Sequence, residues 1–351
     1  MAFFGKPAKA SYLGVDIGAG GVKIAELASE KGRARLVTYG FSEQAPEDPP
    51  LNAVTDTEAI GALVKKVAAK AGCSSRKAVA GIPVSQVFSS VLTVNVPSAK
   101  KKELREAINA QARKITPRPI EEMVIDFKIV EEGEKATKAL LTGAESSLVR
   151  KYIDIFKTAG LELLSLETEA FALIRSLVGR DRSSLVIVDI GAVRTNISVI
   201  DKGIPLITRS LDLGGVTFTR ALAGQSRLGL AAAEQMKVDL GALASALPPS
   251  GLPPAMAGMA DTVINELKYV LNLTAGQRAG ASGAAVEKIV LAGGGALLPR
   301  LADVIGQRLD IRTIVGDPWA RVVYPEDLRP VLDQIGSRFA VAIGLAMRDI
   351  E

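Results

Sequence analysis

LGVDIGAGGVK, residues 13–23, decides the reading of this chain. An apolar run ends at Asp16, turns through Gly18, Ala19, Gly20 and Gly21, and meets Lys23. Glycines let backbone N–H groups come close to phosphate oxygens, and a lysine adds a point charge. That is the chemistry of a site for a phosphate chain and its metal ion. The device returns as VIVDIGAVRT, residues 186–195, with Asp189 and Gly191 in the places of Asp16 and Gly18 and with Thr195 offering a hydroxyl. A lone carboxylate after an apolar strand is often only a turn residue. Two equivalents in duplicated units are better explained as facing each other across a cleft. There they can hold Mg²⁺ through its waters and orient a water for attack on a phosphoryl group.

The repeat extends beyond the motif. Strands are expected over 12–17, 22–28 and 34–39 in the first copy, with a turn at Glu30-Lys31-Gly32. The second copy has strands over 185–190, 195–200 and 205–210, with a turn at Asp201-Lys202-Gly203. Two matched turns within one strand–turn–strand–turn–strand unit point to an internal duplication. A helix over 57–71 and a strand over 78–82 follow the first copy. A different unit comes next: a strand over 87–96, a helix over 101–115 capped by Ser98, and strands over 122–131 and 137–144. A helix over 147–159 stops at Gly160, a strand over 161–166 returns to the first unit, and a helix covers 168–177. After the second copy, helices are expected over 217–223, 231–239 and 261–273. A strand over 288–292 runs into Gly293-Gly294-Gly295, followed by a helix over 299–309, a strand over 311–315 and a closing helix over 339–350. The proline-rich stretch 240–260 and DPWARVVYPED, residues 317–327, read as surface loops.

Composition narrows the chemistry. Histidine is absent, which excludes Ser-His-Asp and Cys-His catalysis and any histidine metal site. A bound metal should be hard, and Mg²⁺ with carboxylates and phosphates fits. Cys73 is the single cysteine, so no intramolecular disulfide forms and a reducing compartment fits. The net charge is +5, but the charges are dispersed and aromatics make up 4%, so a nucleic-acid surface is not expected. No signal peptide opens the chain, and Pro248, Pro249, Pro253 and Pro254 would break the one stretch long enough to span a membrane. The expectation is a soluble, cytoplasmic protein, which can still attach to a membrane through a partner. There is no GxxxxGK[ST], and the windows at 18–23 and 293–298 both fail GxGxxG. The Gly293 triplet is either a tight turn or a place where a flat ligand such as adenine comes close.

DIGAGGVK, DIGAVRT and VLAGGGALLPRL resemble the phosphate-1, phosphate-2 and adenosine motifs of the actin/Hsp70/sugar-kinase superfamily. Within it, the chain resembles the PilM family of actin-like proteins of the type IV pilus inner-membrane platform. ELREAINAQARKITPRPIEEMVIDFKIV, YIDIFKTAGLELLSLETEAFALIRSL and RFAVAIGLAMR carry the resemblance across nearly the whole chain. The resemblance implies an α/β fold of duplicated RNase H-like domains around a nucleotide cleft, with an inserted FtsA-like strand-helix-strand-strand subdomain. The implied division is a first lobe over 1–85, 161–180 and 336–351, the inserted subdomain over 86–160, a second lobe over 181–213 and 286–335, and a further subdomain over 214–285.

The resemblance also implies roles. Asp16 and Asp189 would be the metal-linked aspartates. Gly18, Ala19, Gly20, Gly21, Lys23, Gly191, Thr195 and Gly214 would meet the phosphates of ATP. Glu167 would orient water, with Glu169 as close runner-up. Glu234 and Lys237 would meet ribose and base beside Gly293, Gly294 and Gly295, although alone they read as a solvated i, i+3 pair. The implied function is an ATP-binding adaptor for the cytoplasmic N-terminal segment of a PilN-like bitopic membrane protein. Pilus motor ATPases and self-association into a ring are further implied contacts. Slow ATP hydrolysis stays open. The alternatives are an FtsA-like filament former, for which the chain lacks a membrane helix after its closing helix, and a small-molecule kinase.

Overall fold

The computed structural model describes residues 10–242, 254–278 and 285–350. β1 (Ser11–Gly18), β2 (Gly21–Glu30) and β3 (Arg33–Phe41) form an antiparallel meander. Alternation along β1 buries Leu13, Val15 and Ile17 on one face, beneath α1 (Thr57–Lys70). β4 (Lys77–Ile82) then runs parallel to β1.

The inserted unit follows as β5 (Val87–Val94), α2 (Lys101–Ile115), β6 (Met123–Glu132) and β7 (Thr137–Glu145). Its sheet has the order β5-β7-β6, and α2 seals one face with Leu104, Ile108 and Ala112. α3 (Ser146–Ala159) ends at Gly160, whose φ of 71° suits a helix stop. α3 packs Tyr152, Ile155 and Phe156 onto the first sheet's core, and β8 (Glu162–Thr168) pairs in parallel with β4. α4 (Glu169–Leu173) crosses towards the second copy.

That copy begins with β9 (Leu185–Ile190), β10 (Thr195–Asp201) and β11 (Ile204–Leu211). α5 (Gly215–Ser226), α6 (Leu230–Ala242) and α7 (Pro254–Arg278) come next. β12 (Lys288–Ala292), α8 (Leu301–Leu309) and β13 (Arg312–Val315) complete the second sheet. β14 (Val322–Val323), α9 (Arg329–Ile335) and α10 (Ala340–Ala346) close the described chain.

The duplication is plain in the topology. The first sheet reads β14-β3-β2-β1-β4-β8 and the second β11-β10-β9-β12-β13. Apart from β14, each is an antiparallel meander followed by two parallel strands in the same order. The second turns match in backbone as well: φ is 53° and 76° at Lys31 and Gly32, and 51° and 78° at Lys202 and Gly203. Two successive positive φ values are the hairpin geometry that fits strand twist, and they explain Lys-Gly in both copies.

Four local expectations need correction. The N-cap of α2 is Lys100 without a side-chain bond, so Ser98 does not cap it. The helix expected over 168–177 is α4 followed by a π-helical turn, Ile174–Val178. Of the proline-rich stretch, 243–253 lie outside the described residues, and from Pro254 onward the chain is helical: α7 buries Met256 and Ala260. The helix formers Ala and Met beyond the prolines account for this. DPWARVVYPED is no surface loop. Trp319 is 1% exposed, packs against Tyr39 and Phe339, and donates its indole N–H to the Leu332 carbonyl. Val322 and Val323 pair with β3, so the chain rejoins the first sheet before residue 336. No helix among the described residues is long and apolar enough to cross a membrane.

Candidate functional site

The strand ends of the two meanders bring their carboxylates to one place. Asp16 on β1 lies directly across from Lys23 on β2, whose Nζ donates to Oδ2 at 3.2 Å. Asp189 occupies the matching end of β9, across from Asn196. Burial, then the charge of Asp16, push the Asp189 carboxyl up to about 6, against the pull of Lys23. Glu169, at the start of α4, is pushed up to about 8 by burial and then by Asp189 and Asp16. Asn196 Nδ2 donates to Glu169 Oε2 at 3.3 Å. Among the described residues, Asp16, Asp189 and Glu169 thus share one ammonium, that of Lys23, and this shortage of positive charge suits a hydrated divalent cation. Among the described residues no set of three closes to direct ligating distance. An ion there would be held through water and phosphate oxygens, as Mg²⁺ commonly is.

Gly20 and Ala192, at the tips of the first and second turns, face each other: a Cβ on Gly20 would lie 2.8 Å from that of Ala192. Gly18 sits beside Lys23, and a Cβ there would be 3.3 Å from Nζ. The Ala19 carbonyl accepts from Leu51 N–H at 3.0 Å, and Gly21 adopts φ 138° against Ser42. In the second turn, Gly191 N–H donates to the Arg194 carbonyl at 2.8 Å. The carbonyls of Gly191 and Ala192 accept from Gly215 and Val216 at 2.9 and 2.8 Å, fastening the turn to the start of α5. Gly214 lies against Ala192 with no room for a side chain.

Two expected residues turn out to be structural. Thr195 is fully buried, and its hydroxyl donates to the Leu213 carbonyl at 2.7 Å, so it has no path to a phosphate. Glu167 is engaged in a two-pronged ion pair with Arg175, at 2.9 and 2.7 Å. Arg175 also donates to the Gly344 carbonyl at 2.5 Å, tying β8 to α10. The runner-up, Glu169, is the carboxylate that the fold turns towards Asp16 and Asp189.

Glu234 and Lys237 are not a solvated pair. Lys237 Nζ bonds Glu234 at 2.7 Å, Thr219 Oγ1 at 2.9 Å and the Gly215 carbonyl at 3.2 Å, and Thr219 also donates to Glu234. Burial pushes the Lys237 ammonium down, Glu234 opposes this, and nearby Arg338 adds to it. Gly293, at φ 78°, packs on Asp189, whose Oδ1 would be 2.5 Å from a Cβ. Its N–H donates to the Ser337 carbonyl at 3.1 Å. Gly294 is exposed, with Arg338 Nε 3.6 Å from where its Cβ would stand, and Gly295 packs on Ile190. Reading the sequence missed Arg338 and Arg194, although each stands inside a quoted motif, because their partners are remote in the chain. Arg338 Nη1 donates to Glu43 at 2.6 Å, and Arg194 Nη1 to Ser85 Oγ at 2.6 Å.

Comparison with known proteins bears on the fold and the family. The family profile described as "Type IV pilus assembly protein PilM" matches residues 14–350. The chain is similar to a solved PilM-PilN type IV pilus biogenesis complex, with 26% identity and a TM-score of 0.80 over 98% of this chain and 100% of that one. It shares its fold with the ethanolamine utilization protein EutJ from Carboxydothermus hydrogenoformans: 16% identity, TM-score 0.58, covering 97% and 91% of the two chains. The fold also extends to MreB5 of Spiroplasma citri bound to ADP: 15% identity, TM-score 0.51, covering 95% and 94%. The duplicated sheets are therefore those of the actin-like fold, and the chain belongs to the family of the type IV pilus assembly protein PilM.

Proposed function

We propose that this chain is a nucleotide-holding adaptor of type IV pilus assembly. It binds Mg·ATP between its two lobes and, through the first lobe and inserted subdomain, the cytoplasmic N-terminal segment of a PilN-like membrane protein. The observation that carries the nucleotide half is the meeting of Asp16, Asp189, Glu169 and Lys23 beneath two apposed turns. Lys23 contacts phosphate, Asp16 and Asp189 hold Mg²⁺ through water, and Glu169 orients a water. Gly293 to Gly295, Glu234, Lys237 and Arg338 surround the nucleoside. The similarity to a PilM-PilN complex along 98% of the chain supports the partner half.

Gly20 and Ala192 touch, so a triphosphate seated between the turns needs them to part. ATP would then set the angle between the lobes, and that angle would be read by the partner. Calorimetric titration tests the nucleotide half. Wild type binds Mg·ATP, and Asp189→Ala binds it weaker by about 1–3 kcal/mol, the scale of a charged contact. Equal affinities would remove the cleft assignment.

A further inference from the structure

Arg194 is the single cation of the second turn, four residues that start at Gly191. Its backbone is fixed by the Gly191 N–H, but its side chain reaches out of the second lobe. Nη1 donates to Ser85 Oγ at 2.6 Å and Nε to Asp212 Oδ1 at 3.1 Å. Ser85 belongs to the short turn Val84–Gln86, which leads from β4 of the first sheet into β5 of the inserted sheet. The root of the inserted subdomain is thus fastened to the second turn of the phosphate cleft through Arg194.

Both present partners of Arg194 are weak ones. Asp212 is 91% exposed, so the ion pair is well screened. A serine hydroxyl is neutral and occupies one prong of a guanidinium that can clasp two phosphate oxygens at once. We propose that Arg194 is a phosphate-sensing side chain. Without nucleotide it is held by Ser85. With a nucleoside triphosphate between the turns it swings to the terminal phosphate and releases Ser85, which loosens the root of β5. This rests on the nucleotide reading above and adds the route by which the inserted subdomain senses the cleft. By linkage, a ligand that favours the loosened subdomain raises ATP affinity by the same factor.

The test uses the full chain with Mg·ATP and Mg·ADP as probes, and amide hydrogen exchange of β5 as a readout independent of turnover. Arg194→Ala is expected to weaken ATP about tenfold while ADP changes little, the scale of one charge-assisted contact. Ser85→Ala is expected to bind ATP more tightly, since a competing partner is gone. In wild type, Mg·ATP speeds exchange across β5. In Ser85→Ala, β5 exchanges fast already and Mg·ATP adds nothing. Equal losses of ATP and ADP affinity in Arg194→Ala would overturn the proposal, as would β5 exchange that ignores Mg·ATP in a wild type that binds it. A wild type that binds neither nucleotide removes the nucleotide reading itself, and the sensor with it.

Discussion

Gly20 and Ala192 meet at the tips of the two duplicated hairpins, close enough that a Cβ on Gly20 would sit 2.8 Å from the Ala192 methyl carbon. The two lobes therefore touch where the phosphates are proposed to lie. Substituting Gly20→Ala wedges the turns apart. We expect the nucleotide-free protein to lose about 1–3 kcal/mol, the usual cost of overpacking. Saturating Mg·ATP should narrow the gap from wild type, since it parts the turns anyway. Chemical denaturation with and without nucleotide measures both, and an unaffected nucleotide-free protein would contradict the contact.

The carboxylate cluster predicts a pH dependence. Glu169 is raised to about 8 and Asp189 to about 6, in each case chiefly by burial. Across the window from their ordinary values near 4 up to these values, the folded state binds more protons than the unfolded one. Stability then falls as pH rises, because the slope follows protons bound unfolded minus folded. Without nucleotide, stability is expected to decline from about pH 4 to about pH 8 through these two groups, and Glu169→Gln to flatten the upper part. A Glu169→Gln curve parallel to wild type between pH 6 and 8 would show that Glu169 is not raised.

Glu167 and Glu169 should separate cleanly. Glu167→Ala leaves the Arg175 side chain, 19% exposed, without its carboxylate partner. A loss of about 3 kcal/mol is expected, in line with breaking a buried pair from one side. Mg·ATP affinity should stay near wild type. Glu169→Gln should do the reverse, altering the response to nucleotide more than stability. Similar stability for Glu167→Ala and wild type would contradict the ion pair's role.

Trp319 should be a pillar of the first lobe. Trp319→Ala removes a buried indole that packs on Tyr39, Tyr324 and Phe339 and bonds the Leu332 carbonyl. A loss of about 3–5 kcal/mol is expected from the cavity. A change within about 1 kcal/mol in urea unfolding would place the indole at the surface instead.

The legible parts of the fold were those with local causes. The alternation of Leu13, Val15 and Ile17 and the paired Lys-Gly turns depend on neighbours in sequence, so both meanders and their duplication could be read directly. Asp16 and Asp189 were legible because each ends an apolar strand. The illegible parts depended on distant partners. Nothing near Trp319 announces that β3 covers it, and nothing near Arg194 announces Ser85, 109 positions away. Glu167 and Glu169 straddle the junction of β8 and α4, where a two-residue shift decides between Arg175 and the cleft. Thr195 followed the strand pattern, yet that same pattern buried it beneath Leu213.

The most direct measurement is the affinity of the cytoplasmic N-terminal peptide of a PilN-like protein for the full chain, titrated with and without saturating Mg·ATP. An adaptor whose lobes are set by nucleotide should bind the peptide with clearly different affinities in the two conditions, and Asp189→Ala should erase the difference. Peptide binding of equal strength with and without Mg·ATP, in protein shown to hold the nucleotide, would contradict the coupling of cleft to partner.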